Sequence, residues 1–112
     1  MRRGAIIAAA WAAFMGSAAP VHAETFTSAQ FLEWPQESQR FYFRAAIGMA
    51  GVIVRQNDIS QADCIDTWYF ADEAAAEMHV RSIMKTYPSY HPLGILVAVL
   101  EKRCGVLRYA ER

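Results

Sequence analysis

Few residues in this chain have the chemistry to act on another molecule. They are Cys64 and Cys104, the histidines His79 and His91, and two close pairs of acids, Glu33 with Glu37 and Asp63 with Asp66. Together Cys64, His79, His91 and Cys104 match the donor types of a zinc site. Such sites take their ligands in pairs a few residues apart, however, and these four are spread evenly along the chain. A cysteine nucleophile with a histidine base would need a local signature that neither thiol has. The acid pairs sit at turns and helix starts, where carboxylates are usually solvated or complement the helix dipole. No glycine-rich phosphate loop or nucleophile elbow is present. The expectation is therefore no catalytic residue, no metal and no cofactor: a protein that is not an enzyme.

The thiols then read as a pair. Two cysteines allow one intrachain bridge, Cys64–Cys104, which closes a loop of about 40 residues and on the chain-entropy estimate is worth roughly 4 kcal/mol. Disulfides persist outside the cytoplasm, and the N-terminus agrees. Met1-Arg2-Arg3 is followed by an uncharged stretch from Gly4 to Ala19 and then by Pro20-Val21-His22-Ala23. A basic start, an apolar run and small residues at 21 and 23 predict a signal peptide over residues 1–23, cleaved before Glu24. The stretch is short for a membrane span, and Arg2-Arg3 lacks twin-arginine flanks, so the general secretory route into the periplasm is expected. Residues 24–112 then form one domain with a slightly acidic balance, which gives no argument for nucleic acid or anionic membrane as a partner, and neither is expected.

The elements that must carry these residues read as helices. Thr27-Ser28-Ala29-Gln30 has the spacing of a capping box before Phe31, Leu32 and Trp34. Pro35 can open a second helix, running to about Gln56, with Phe41, Ala45, Gly48 and Val52 recurring at three and four. Within it Ala45, Ala46, Gly48, Ala50 and Gly51 form a small-residue cluster, explained by close approach of another helix in the fold or by a subunit interface. After Asn57-Asp58 a polar segment through Asp63 leads past Cys64 to Trp68-Tyr69-Phe70, aromatics expected to pin the chain to the core. A third helix starts near Asp72-Glu73 and ends at Thr86. A fourth runs from Leu93 to Cys104, stops at Gly105, and is apolar all round, as suits the centre of a bundle. No segment alternates with period two, so the fold class is all-α: a small four-helix domain with one intrachain disulfide. The tail after Val106 and Leu107 is expected to be mobile.

Between the last two helices lies Tyr87-Pro88-Ser89-Tyr90-His91-Pro92. Its prolines keep the preceding residues out of the helical region, while tyrosine and histidine make good contact surfaces. Residues Tyr87, Pro88, Ser89, Tyr90 and His91 are the expected partner-binding site, against the plainer reading of a helix connector.

The order of features resembles the Rap/Tai family of periplasmic immunity proteins. The resemblance rests on Phe43-Arg44-Ala45-Ala46-Ile47-Gly48-Met49-Ala50-Gly51-Val52, on Cys64-Ile65-Asp66, on Ile83-Met84-Lys85-Thr86-Tyr87-Pro88, and on Leu93 to Leu100 ending at Cys104. Two departures stand out: Asp66 replaces the family's proline, and the connector after Pro88 is shorter. The resemblance implies a homodimer that neutralises a peptidoglycan-cleaving amidase effector of type VI secretion by putting a loop into its active-site cleft. The alternative is an acid-stress chaperone of the HdeA type, also a small helical periplasmic protein with two cysteines.

Overall fold

The computed structural model describes residues 25–110, so the signal peptide expected over residues 1–23 lies outside the described residues. Five helices and no strand are found among them: α1 (Ser28–Leu32), α2 (Gln36–Arg55), α3 (Ile59–Ala71), α4 (Glu73–Thr86) and α5 (Pro92–Cys104). The all-α class is as expected, with one helix more than the four drawn from the sequence. The addition is α3, which occupies the supposed polar segment. Asp58, in extended backbone, caps it by accepting from the Gln61 N–H at 3.0 Å, and this stabilises a helix start whose first N–H groups have no partner within the helix. Ala62, Ile65 and Tyr69 then point inward. At the far end Asp72 closes α3 and caps α4, accepting from the Ala75 N–H at 3.1 Å.

The other starts and stops follow their sequence signals. Thr27 and Gln30 form the reciprocal capping box of α1. Pro35 precedes the first turn of α2, where Glu37 faces the positive end of the dipole. Gly105, at φ 88°, ends α5 in a backbone conformation that side chains rarely adopt.

Helices α2 and α3 form the most extensive pairing. Gly51 lies at this contact: a Cβ there would come within 2.6 Å of Asp66 Oδ1 on α3, so the carboxylate that pairs with Arg55 would have to shift. Gly48 faces the other way, with nothing within 4 Å of an added Cβ. The small-residue cluster is therefore split, one glycine serving internal packing and the other lying on an open face. Phe31, Phe43, Ile47, Ile65, Val80, Met84 and Leu96 bring all five helices into one core.

Two further expectations are corrected. Helix α5 does not run through the centre of a bundle. Ile95, Leu96, Val99 and Leu100 are buried against α3 and α4, whereas Leu93 and Val97 remain exposed. Nor is the chain loose from Val106 to Arg108, because the buried Gln61 holds it. Its Nε2 donates to the carbonyls of Cys104, Gly105 and Val106, and its Oε1 accepts from the Arg108 N–H at 2.8 Å. Leu107 packs on the core while Val106 is exposed. The bridge between Cys64 in α3 and Cys104 at the end of α5 is present, with a Cα–Cα distance of 5.9 Å. No helix among the described residues is long and apolar enough to cross a membrane.

Candidate functional site

The loop between α4 and α5 is built by its backbone. Tyr87 still donates its N–H to Ile83 O, and Tyr90 N–H returns to Tyr87 O at 3.2 Å, closing a turn over Pro88 and Ser89. The outward carbonyls do not face solvent alone. Pro88 O accepts from the Ala29 N–H at 3.0 Å, and Tyr90 O accepts from both the N–H and the hydroxyl of buried Ser28, each at 2.8 Å. These are the first N–H groups of α1, which lack partners in their own helix. The start of α1 is thus fastened to the loop.

With its backbone held, the loop presents side chains. Tyr87 is 49% and Tyr90 57% exposed, and their rings meet edge to face at 5.4 Å. His91 has a second role: its Nδ1 accepts from the Leu93 N–H at 3.0 Å and so caps α5, with buried Pro92 as the first helical residue. Its ring also meets that of Phe26 edge to face at 5.7 Å. Phe26 in turn stacks on Trp34 at 5.0 Å and touches Tyr42. The five residues expected from sequence form one exposed surface, which Phe26 and Trp34 extend. Those two were missed, although both fall in the aromatic stretch beside the capping box. Desolvation raises the Tyr42 phenol above its ordinary pKa, so it stays neutral in this cluster.

The other chemical candidates are placed apart. Asp63 and Asp66 both bind Arg55, at 2.8 and 3.2 Å, as exposed ion pairs. Glu33 ends α1, Glu37 lies in the first turn of α2, and His79 is exposed on α4. The cysteines are joined to each other, and no group of three or more His, Cys, Asp or Glu among the described residues could hold a metal. Of the three consecutive aromatics, Tyr69 is buried, Trp68 half-buried and Phe70 49% exposed. The pinning expected of all three therefore falls mainly to Tyr69, because successive helical residues point in different directions.

Sequence reasoning also missed a buried polar chain. Tyr69 donates its hydroxyl to Glu77 Oε2 at 2.6 Å, and Glu77 is only 3% exposed. Arg81 Nη2 stands 3.5 Å from the other carboxylate oxygen, and Arg40 approaches it at 4.0 Å. Arg81 Nε donates to Gln39 Oε1 at 2.8 Å, and Gln39 Nε2 donates to the carbonyls of Leu32 and Trp34 at the end of α1. Burial first, and then the bond to Glu77, push the Tyr69 pKa well above that of a free tyrosine. This acid–phenol pair is closed to solvent, so it joins helices and has no access to a substrate.

No family model, no curated protein and no solved structure matches this chain.

Proposed function

We propose that the chain is an exported, periplasmic binding protein without catalytic activity, whose contact surface centres on Tyr87, Pro88, Ser89, Tyr90 and His91. The observation that carries this reading is a loop whose backbone is held by α1 while two tyrosines stand free. Large rings with few rotatable bonds, on a loop already ordered, lose little entropy when a partner covers them. The partner class comes from the resemblance stated above: a peptidoglycan-cleaving amidase whose cleft the loop fills. Purified amidases should lose hydrolytic activity in the presence of excess protein. Because His91 also caps α5, the informative variants are Tyr87→Ala and Tyr90→Ala, each expected to weaken inhibition by about 1–2 kcal/mol, the scale of central contact residues. If no amidase is inhibited, the immunity reading fails; unchanged inhibition by both variants would move the contact surface elsewhere.

The outward face of α2 supports a homodimer as part of the same proposal. Phe41, Met49 and Val52 are 65%, 61% and 61% exposed, and they surround Ala45 and the open side of Gly48. A second copy crossing antiparallel would cover this apolar stripe. It would also set Glu37 at one end of α2 toward Arg55 at the other end of its mate. Sedimentation should show a dimer that Met49→Glu dissociates without loss of helicity, since Met49 supports no core.

A further inference from the structure

Between α4 and α5 the surface drops into a trench. Its larger cavity, of about 430 Å³, is lined by His79, Ile83, Ala98, Val99, Lys102 and Arg103. It continues past His79 and Arg103 into a smaller one of about 330 Å³, bordered by Trp68 and Asp72. Short side chains are part of its lining, Ala98 on α5 and Ala75 and Ala76 on α4.

Its charges are unusual for this molecule. Arg44 and Arg55 face carboxylates at 2.7 and 2.8 Å, Arg81 at 3.5 Å, and Arg40 and Arg108 at 4.0 Å. Lys85, Lys102 and Arg103 have no carboxylate partner among the described residues; the last two stand together in the larger cavity, whose lining contains no acid. Cations in the last turn of α5 complement its dipole, which accounts for their presence on the helix but not for the hollow beside them. Arg103 is also held in place, its guanidinium lying over the Trp68 ring at 5.8 Å. The one acid lining the two cavities, Asp72, borders only the smaller, where its carboxylate accepts from the Ala75 N–H.

We propose that this trench binds a free aliphatic carboxylic acid of medium chain length. The carboxylate lies between Lys102 and Arg103, with His79 beside it, and the chain lies along Ile83, Ala98 and Val99. Charge complementarity selects the anion, because two unpaired cations at one site attract a carboxylate with charge-assisted bonds. The apolar floor selects the chain, and the volume falls in the range of small-ligand clefts. The site is separate from the Tyr87–His91 loop and stands or falls independently of it.

Decanoate is the probe, titrated below its micelle concentration into the ¹⁵N-labelled, disulfide-intact protein. Saturable amide shifts are expected at residues 79–83 and 98–103. Acetate, which lacks the chain, and decanol, which lacks the charge, should bind at least tenfold more weakly. Lys102→Gln with Arg103→Gln should also weaken decanoate at least tenfold. Ala98→Leu, which keeps both cations but fills the floor, should do the same while leaving the remaining spectrum in place. Shifts centred elsewhere, decanol binding as tightly as decanoate, or undiminished binding in either variant would each overturn the proposal.

Discussion

Replacing Glu77 by alanine tests whether the buried polar chain joins the helices or is merely tolerated. The substitution leaves the Tyr69 hydroxyl without its acceptor at a residue 0% exposed, a loss of about 1–3 kcal/mol for an unsatisfied buried donor. It also strips the carboxylate from Arg81, whose side chain is 17% exposed. Breaking a buried pair from one side costs about 3–5 kcal/mol. The two losses share one carboxylate and overlap, so the total expected is about 3–5 kcal/mol. Arg81 has no cheap escape to solvent, because moving it would release Gln39, which holds the end of α1. Glu77→Gln keeps an acceptor for Tyr69 but still strips the carboxylate from Arg81, so it should cost about 3 kcal/mol, the lower end of that range. Urea unfolding followed by tryptophan fluorescence and by circular dichroism gives these values, provided that the slope is unchanged. Adding Arg81→Met to Glu77→Ala should recover part of that loss, since no charge is then left buried alone, although Gln39 Oε1 loses its donor. A loss below about 1 kcal/mol for Glu77→Ala, or a double variant no more stable than the single one, would refute this reasoning.

Reducing the Cys64–Cys104 bridge, or replacing both cysteines by serine, should cost roughly 4 kcal/mol. For a domain of this size that lowers Tm by roughly 15–30 °C; a Tm insensitive to reductant would show that the constraint does not act on the unfolded chain. The raised pKa of Tyr69 sets an alkaline limit. Its unfolded phenol loses a proton near pH 10 while the folded one keeps it, so the folded state binds more protons and stability must fall as pH rises above about 10. Denaturant midpoints between pH 9 and 11 should show that fall, and Tyr69→Phe should flatten it; an equal slope in the variant would assign it to other groups. Asp58 acts with the opposite sign. The Gln61 N–H and the Ser60 hydroxyl hold its carboxyl below the usual range, so its contribution is complete above the unfolded value and disappears as pH falls through the folded one.

Elements with local punctuation were legible in the sequence. Thr27 with Gln30, Pro35, Asp72, Pro92 and Gly105 each act over one turn, and each marks a real boundary. Helix α3 was not legible because its apolar residues do not share one face: Ile59 and Phe70 are exposed while Ala62, Ile65 and Tyr69 are buried. Its cap, Asp58, follows directly on the end of α2, and an acid there fits a helix stop as readily as a new start. Glu77 was hidden by its type. It lies on the stripe of Val80 and Met84, three and seven residues ahead, and that register alone would have placed it inward. With Arg81 four residues on, its spacing is equally that of an ordinary surface ion pair. The loop's exposure followed from its prolines, but its stiffness did not, because Ser28 meets Tyr90 across 62 positions of sequence.

That long-range fastening decides what kind of surface the loop is. Helix α5 is held at both ends, by the His91 cap at its start and by Cys104 and the Gln61 bonds at its finish. The carbonyls between Tyr87 and His91 are then tied to α1, whose own far end is tied through Gln39 to Arg81 on α4. A loop anchored on two sides to helices that are themselves cross-linked loses little freedom on contact. Binding by Tyr87 and Tyr90 therefore costs less ordering than the same residues would on a free connector. A chain of only five residues, α1 gains its role through its ends: the N–H groups it cannot satisfy internally hold the loop, and the carbonyls it cannot satisfy internally hold Gln39. The unpaired groups that make so short a helix marginal alone are those that couple the loop to the core.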